Sequence, residues 1–149
     1  MTGHMRAFSE ILSLSEREPL VQDPKPVVLV LDDDVMALEL YSRELGGDYQ
    51  VITCQSLEDA HHSMQTHRFD AFIIEPLTNG EDGGDLLREI HPTPDPPALI
   101  LCSVIDDRKL GLDQGADAFV VKPVLPTTLH RLIDQIVTKR NSYQTSKNG

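Results

Sequence analysis

Asp32, Asp33 and Asp34 follow directly on the apolar run Val27-Val28-Leu29-Val30-Leu31. Adjacent carboxylates repel one another, and hard oxygen donors of this kind suit Mg²⁺ or Ca²⁺. They also suit a plainer task. An aspartate just before Val35-Met36-Ala37-Leu38 is good helix-capping chemistry, with the other two acids solvated. Glu75 ends a second apolar run, Cys102 and Ser103 end a third, and Lys122 ends a fourth, directly before Pro123. If those ends converge, the set suits Mg²⁺ and a phosphoryl group. Carboxylates hold the metal, an acyl oxygen accepts, and a lysine balances the charge.

The elements that must position these residues are legible in outline. Val27 to Leu31, preceded by Pro24 and Pro26, reads as a strand buried on both faces of a parallel sheet. A helix from Val35 to Leu45 carries Leu38, Tyr41 and Leu45 on one face, and Gly46-Gly47 ends it. Tyr49 to Cys54 reads as strand two, and Ser56 opens a capping box for a helix to about His67. Phe69 to Ile74 is strand three. A loop over residues 77–83 then leads into a helix from Gly84 to Ile90. After the proline-rich loop at 91–97 come strand four at Ala98–Cys102, helix four at Asp107–Gln114, and strand five at Ala118–Val121. Helix five, Thr127 to Lys139, has Leu129, Leu132, Ile133, Ile136 and Val137 at helical spacing.

Five strands alternating with five helices predict a three-layer α/β sandwich with a parallel sheet and right-handed crossovers, without internal repeats. In such a sheet all the strand ends named above share one edge, where ligands bind. Residues 1–25 read as an extension, flexible or holding a short helix around Phe8, Ile11 and Leu12. Residues 26–141 form the domain and 142–149 a polar tail.

The 149 residues carry 24 acids against 13 bases, a formal charge of −11, which argues against nucleic acid or an anionic membrane as partner. No run is apolar enough to span a bilayer and no signal peptide opens the chain. Cys54 and Cys102 lie far apart in apolar surroundings, as buried thiols in a reducing cytoplasm would.

The sequence resembles the receiver domain of bacterial two-component response regulators. The resemblance rests on Leu29-Val30-Leu31-Asp32-Asp33-Asp34, Phe69-Asp70-Ala71-Phe72-Ile73-Ile74-Glu75, Asp82-Gly83 and Gly115-Ala116-Asp117-Ala118-Phe119-Val120-Val121-Lys122-Pro123, and covers about residues 26 to 140. It implies a flavodoxin-like fold of five βα units with strand order 2-1-3-4-5. Asp32 and Asp33 match the family's metal-binding acids, with the acceptor position, Glu75, completing the Mg²⁺ set. Lys122 matches the phosphoryl-contacting lysine, Pro123 the proline after a cis peptide, and Phe119 the aromatic that reports the switch. The expected partner face is helix four, strand five and helix five. Its partners would be a histidine kinase, a phosphotransfer protein or an effector, with the chain a monomer or weak homodimer.

Departures from the pattern are concentrated at the switch. The phospho-accepting aspartate falls on Glu75, whose extra methylene displaces the carboxylate by roughly 1.5 Å; a misplacement near 1 Å can cost about a hundredfold in rate. The switch threonine or serine falls on Cys102, a weak donor. The usual loop proline is replaced by Asn79, and the chain between Cys102 and Gly115 is trimmed.

The expectation is a degenerate receiver in which Glu75 reaches Lys122 and imitates a phosphorylated aspartate, with Mg²⁺ binding weakened or lost and no enzymatic turnover. The alternatives are an active phospho-acceptor and a small phosphatase using Asp32-Asp33-Asp34 as an Asp-x-Asp motif, for which the chain is short. A surface nucleotide site at Arg108 or Arg131 has no glycine-rich loop to support it. Phe119 and Cys102 also have a plain reading as core residues, and His61, His62 and His67 as surface histidines. The tail after helix five is too short for an effector domain. That leaves a stand-alone receiver or a piece of a larger regulator or hybrid kinase.

Overall fold

The computed structural model describes residues 24–78, 81–90 and 96–148. The helix expected around Phe8, Ile11 and Leu12 lies outside them. In chain order the elements are β1 (Val27–Leu31), α1 (Val35–Leu45), β2 (Gln50–Cys54), α2 (Leu57–Thr66), β3 (Ala71–Ile74), β4 (Leu77–Thr78), β5 (Glu81–Asp82), α3 (Gly84–Ile90), β6 (Ala98–Ser103), α4 (Arg108–Asp113), β7 (Ala118–Val121) and α5 (Pro126–Asn148). The main sheet is parallel throughout, in the order β2-β1-β3-β6-β7. Counting the five long strands alone, this is the expected 2-1-3-4-5.

Successive side chains of a strand point to opposite faces, and the two faces build two cores. Val28, Val30, Ile73 and Ile100 pack with Leu38, Tyr41 and Leu45 of α1 and Leu129 and Ile133 of α5. Leu29, Leu31, Phe72, Ile74 and Leu101 pack on the other side with Ala60 of α2 and Leu86, Leu87 and Ile90 of α3. Helices α1 and α2 start where capping chemistry predicts. Asp34 accepts the Met36 N–H at 3.0 Å and Ser56 accepts the Asp59 N–H at 3.1 Å. Gly115, at φ 101°, follows α4 in a left-handed conformation that a side chain would strain.

At the amino edge of the sheet one device occurs twice. The Asp70 N–H donates to the Val27 carbonyl at 2.8 Å while the Asp70 carboxylate accepts the Val27 N–H at 2.8 Å. Asp117 does the same to Leu99, at 2.8 Å in both directions. The segments that follow are near-copies, Asp70-Ala71-Phe72-Ile73-Ile74-Glu75-Pro76 and Asp117-Ala118-Phe119-Val120-Val121-Lys122-Pro123. They flank β6 on either side. No echo of this kind is part of the reading that found no repeats, because seven residues are too few to define a structural unit.

The elements depart from expectation in three places. The β4–β5 pair, Leu77 opposite Asp82 and Thr78 opposite Glu81, stands where a plain loop is expected. Strand β3 starts at Ala71 because Phe69 stacks between the rings of His67 and Phe72 instead of entering the ladder. Helix α5 runs on to Asn148, through the residues expected as a polar tail, since no proline or glycine interrupts it before Gly149.

Candidate functional site at the carboxyl edge of the sheet

Each charged residue of the site is still held in the ladder by its backbone. The N–H of Asp32 donates to Cys54 O at 3.1 Å, that of Glu75 to Leu31 O at 2.9 Å, and that of Lys122 to Ser103 O at 2.8 Å. Strand alternation then decides direction. Leu31, Ile74 and Leu101 face α2 and α3, so Asp32, Glu75 and Cys102, one residue later, turn towards α1. Lys122 comes from β7 to meet them. Its ammonium lies 2.5 Å from Asp32 Oδ2 and 3.2 Å from Glu75 Oε2. Asp32 is 3 % exposed, Glu75 7 %, and the Lys122 side chain 17 %. Burial opposes the charge on Lys122, but the hydrogen bonds and charges of Asp32 and then Glu75 outweigh it and raise its pKa above the ordinary lysine value.

The turn after β3 orients Glu75. Its Oε1 accepts the Leu77 N–H at 3.3 Å, and its carbonyl accepts the buried Thr78 hydroxyl at 2.7 Å. Gly83 closes this turn, donating its N–H to Pro76 O at 2.8 Å; a Cβ there would lie 3.2 Å from that same oxygen. Thr78 and Leu77 thus belong to the site, and the expectation of an open loop missed them. The available signal is Asn79-Gly80 between the paired residues Thr78 and Glu81, a dipeptide that favours two-residue hairpins.

Beneath the charges, the Tyr41 hydroxyl of α1 and the Cys102 thiol are buried close enough to shift each other's pKa. Burial is the main reason that the Cys102 pKa is pushed up to about 11; Lys122 opposes the rise while Asp32 and Glu75 add to it. Burial likewise pushes the Tyr41 phenol up to about 12. Cys102 is a neutral, buried thiol. Helical spacing marks Tyr41 as a core residue but gives no sign of this polar contact.

Phe119 does not join the cluster. It lies on the opposite face, where a Cβ at Gly111 would come within 2.6 Å of its ring and 3.0 Å of Leu101. The plain core reading of Phe119 is the one its packing matches.

Asp33 is exposed at the rim. The expected metal set of Asp32, Asp33 and Glu75 is not gathered. Among the described residues no three His, Cys, Asp or Glu side chains are grouped to hold a metal ion. The physical reason is the Lys122 ammonium between Asp32 and Glu75. As arranged, the donor set does not fit Mg²⁺.

A response regulator receiver domain matches residues 28–134. The chain belongs to the receiver family. Among relatives of this receiver, the transcriptional regulatory protein AfsQ1 of Streptomyces coelicolor is 32 % identical over 117 residues, covering 76 % of the chain and 51 % of that protein. The transcriptional regulatory protein PrrA of Mycobacterium tuberculosis is 32 % identical over 127 residues, covering 81 % and 54 %. The chain therefore spans about half the length of these curated relatives. The fold is shared with a CheY-like receiver domain from Methanospirillum hungatei (TM-score 0.73, 21 % identity, 81 % of this chain and 99 % of that one). It is shared too with the response regulator DrrB of Thermotoga maritima (TM-score 0.69, 24 % identity, 77 % and 54 %). Among the described residues, no helix is long and apolar enough to cross a membrane.

Proposed function

We propose that this receiver is a degenerate signalling module of the cytoplasm that acts by protein–protein contact, without turnover and without phosphorylation of the usual kind. The observation that carries this reading is the ion pair of Glu75 Oε2 with Lys122 Nζ at 3.2 Å. The residue in the acceptor position brings a carboxylate to the lysine that would otherwise balance a phosphoryl group. The thiol in the switch position is turned to Tyr41. Both features support one fixed signalling state, with Mg²⁺ binding weakened or lost. The partner face is α4, β7 and α5, where Leu110 and Leu112 are 56 % and 44 % exposed. Its partner is a histidine kinase, phosphotransfer protein or effector.

Intact mass after incubation with acetyl phosphate and Mg²⁺ tests this, with Asp33→Asn as control. No phosphoryl adduct is expected. A Mg²⁺-dependent adduct lost in the control would overturn the reading. Glu75→Asp combined with Cys102→Thr is expected to gain the adduct, since it shortens the acceptor arm and restores a hydroxyl.

A further inference from the structure

Asp32 and Glu75 together offer four carboxylate oxygens, and each already has a partner. Asp32 Oδ1 accepts the Asp34 N–H at 2.9 Å and Oδ2 accepts Lys122 Nζ at 2.5 Å. Glu75 Oε1 accepts the Leu77 N–H at 3.3 Å and Oε2 pairs with Nζ at 3.2 Å. Mg²⁺ demands oxygen donors in near-octahedral geometry and gives up its waters reluctantly. An ammonium in the middle of the donor set supplies no ligand, consumes two of the oxygens, and repels a second cation.

We propose that Lys122 is the site's own cation, and that with Glu75 in place a divalent ion binds this edge only when the ammonium is removed. The inference rests on the degenerate-receiver reading for the role of Glu75. It goes further by making metal and lysine mutually exclusive occupants of one pair of carboxylates. The two buried acids are retained because their counter-charge is part of the chain. Wild-type protein is then indifferent to Mg²⁺. Replacing Lys122 by an uncharged side chain of similar length exposes Asp32 and Glu75 to solution cations.

The test uses the full chain without any phosphodonor, so that it is separate from the phosphorylation experiment. Mg²⁺ is titrated by calorimetry, and Mn²⁺ by water-proton relaxation, into wild type, Lys122→Met, and Lys122→Met with Asp32→Asn. Lys122→Met is expected to bind at least about tenfold more tightly than wild type, with the gain abolished by Asp32→Asn. Lys122→Gln replaces Lys122→Met should circular dichroism show that the latter is unfolded. Saturable wild-type binding as tight as in the Lys122 variant would overturn the inference, and so would a gain that survives Asp32→Asn. Wild-type binding in the millimolar range or tighter decides against it even with no folded variant in hand. A phosphoryl adduct on wild type, by contrast, would overturn the function proposed above.

Discussion

Tyr41 and Cys102 give the buried floor of the site an order of its own. A buried phenol needs a hydrogen-bond partner, and the Cys102 thiol is the neighbour placed to act as one. Cys102→Ala leaves the hydroxyl unpaired, which costs about 1–3 kcal/mol in urea unfolding, and Tyr41→Phe in the same chain returns part of that loss. Independent, additive effects of the two substitutions would refute the pairing.

The same two groups give the fold an alkaline weakness. Folding raises Cys102 from 9.0 to about 11 and Tyr41 from 10.0 to about 12, so the unfolded chain releases these protons first as pH rises. Stability is therefore whole below about pH 9 and falls between about pH 9 and 12. Lys122 acts in the same direction, its contribution lost as pH rises through its raised pKa. Urea midpoints at about pH 8 and 10.5 measure this, with a fall expected. At about pH 8 the folded thiols resist a disulfide reagent that labels the unfolded chain fully.

At the scale of elements, Gly111 decides how closely α4 lies on the sheet. Gly111→Ala places a methyl within 2.6 Å of the Phe119 ring and is expected to cost about 1–3 kcal/mol through overpacking. Adding Phe119→Leu, which frees that volume, recovers most of it; denaturant unfolding of the three variants measures the recovery. Much of this level is legible in the sequence. The uninterrupted apolar runs mark β1, β3, β6 and β7 as strands of a parallel sheet, and the acids and lysine after them place the site. Asp34 and Ser56 mark helix starts because capping is local. What stays hidden depends on distant partners or on short pairings. Phe119 reads as core more than as switch, but nothing in the sequence shows that Gly111 is the residue packed against its ring. The β4–β5 pair is two residues per strand, below the length at which alternation can be recognised. The end of α5 is hidden too, since a polar sequence without breakers does not distinguish helix from coil.

The molecule as a whole carries a charge of −11, and its described exposed apolar residues include Leu110 and Leu112 on α4. These two features oppose each other in self-association. Like charge keeps copies apart at low salt, and screening removes that repulsion. Sedimentation velocity is expected to show monomer at low ionic strength and a rising dimer fraction as salt is added. Leu110→Glu removes the dimer at every salt concentration while changing unfolding free energy by less than about 0.5 kcal/mol. Dimerisation that weakens with salt would point to an interface built on charge instead.

The paired aspartates at the amino edge have a consequence at the far end of the sheet. Asp70 and Asp117 each fasten a strand to its neighbour with two bonds of 2.8 Å. From either aspartate the chain climbs four residues and then presents a charge, Glu75 from one and Lys122 from the other. The two strands are rulers of equal length, with β7 set two residues further along β6 than β3, since Ala71 lies opposite Ala98 and Ala118 opposite Ile100. The ion pair at the top is thus calibrated from below. One residue inserted into β3 or β7 would shift one scale against the other and turn its charge to the wrong face, even with both side chains intact.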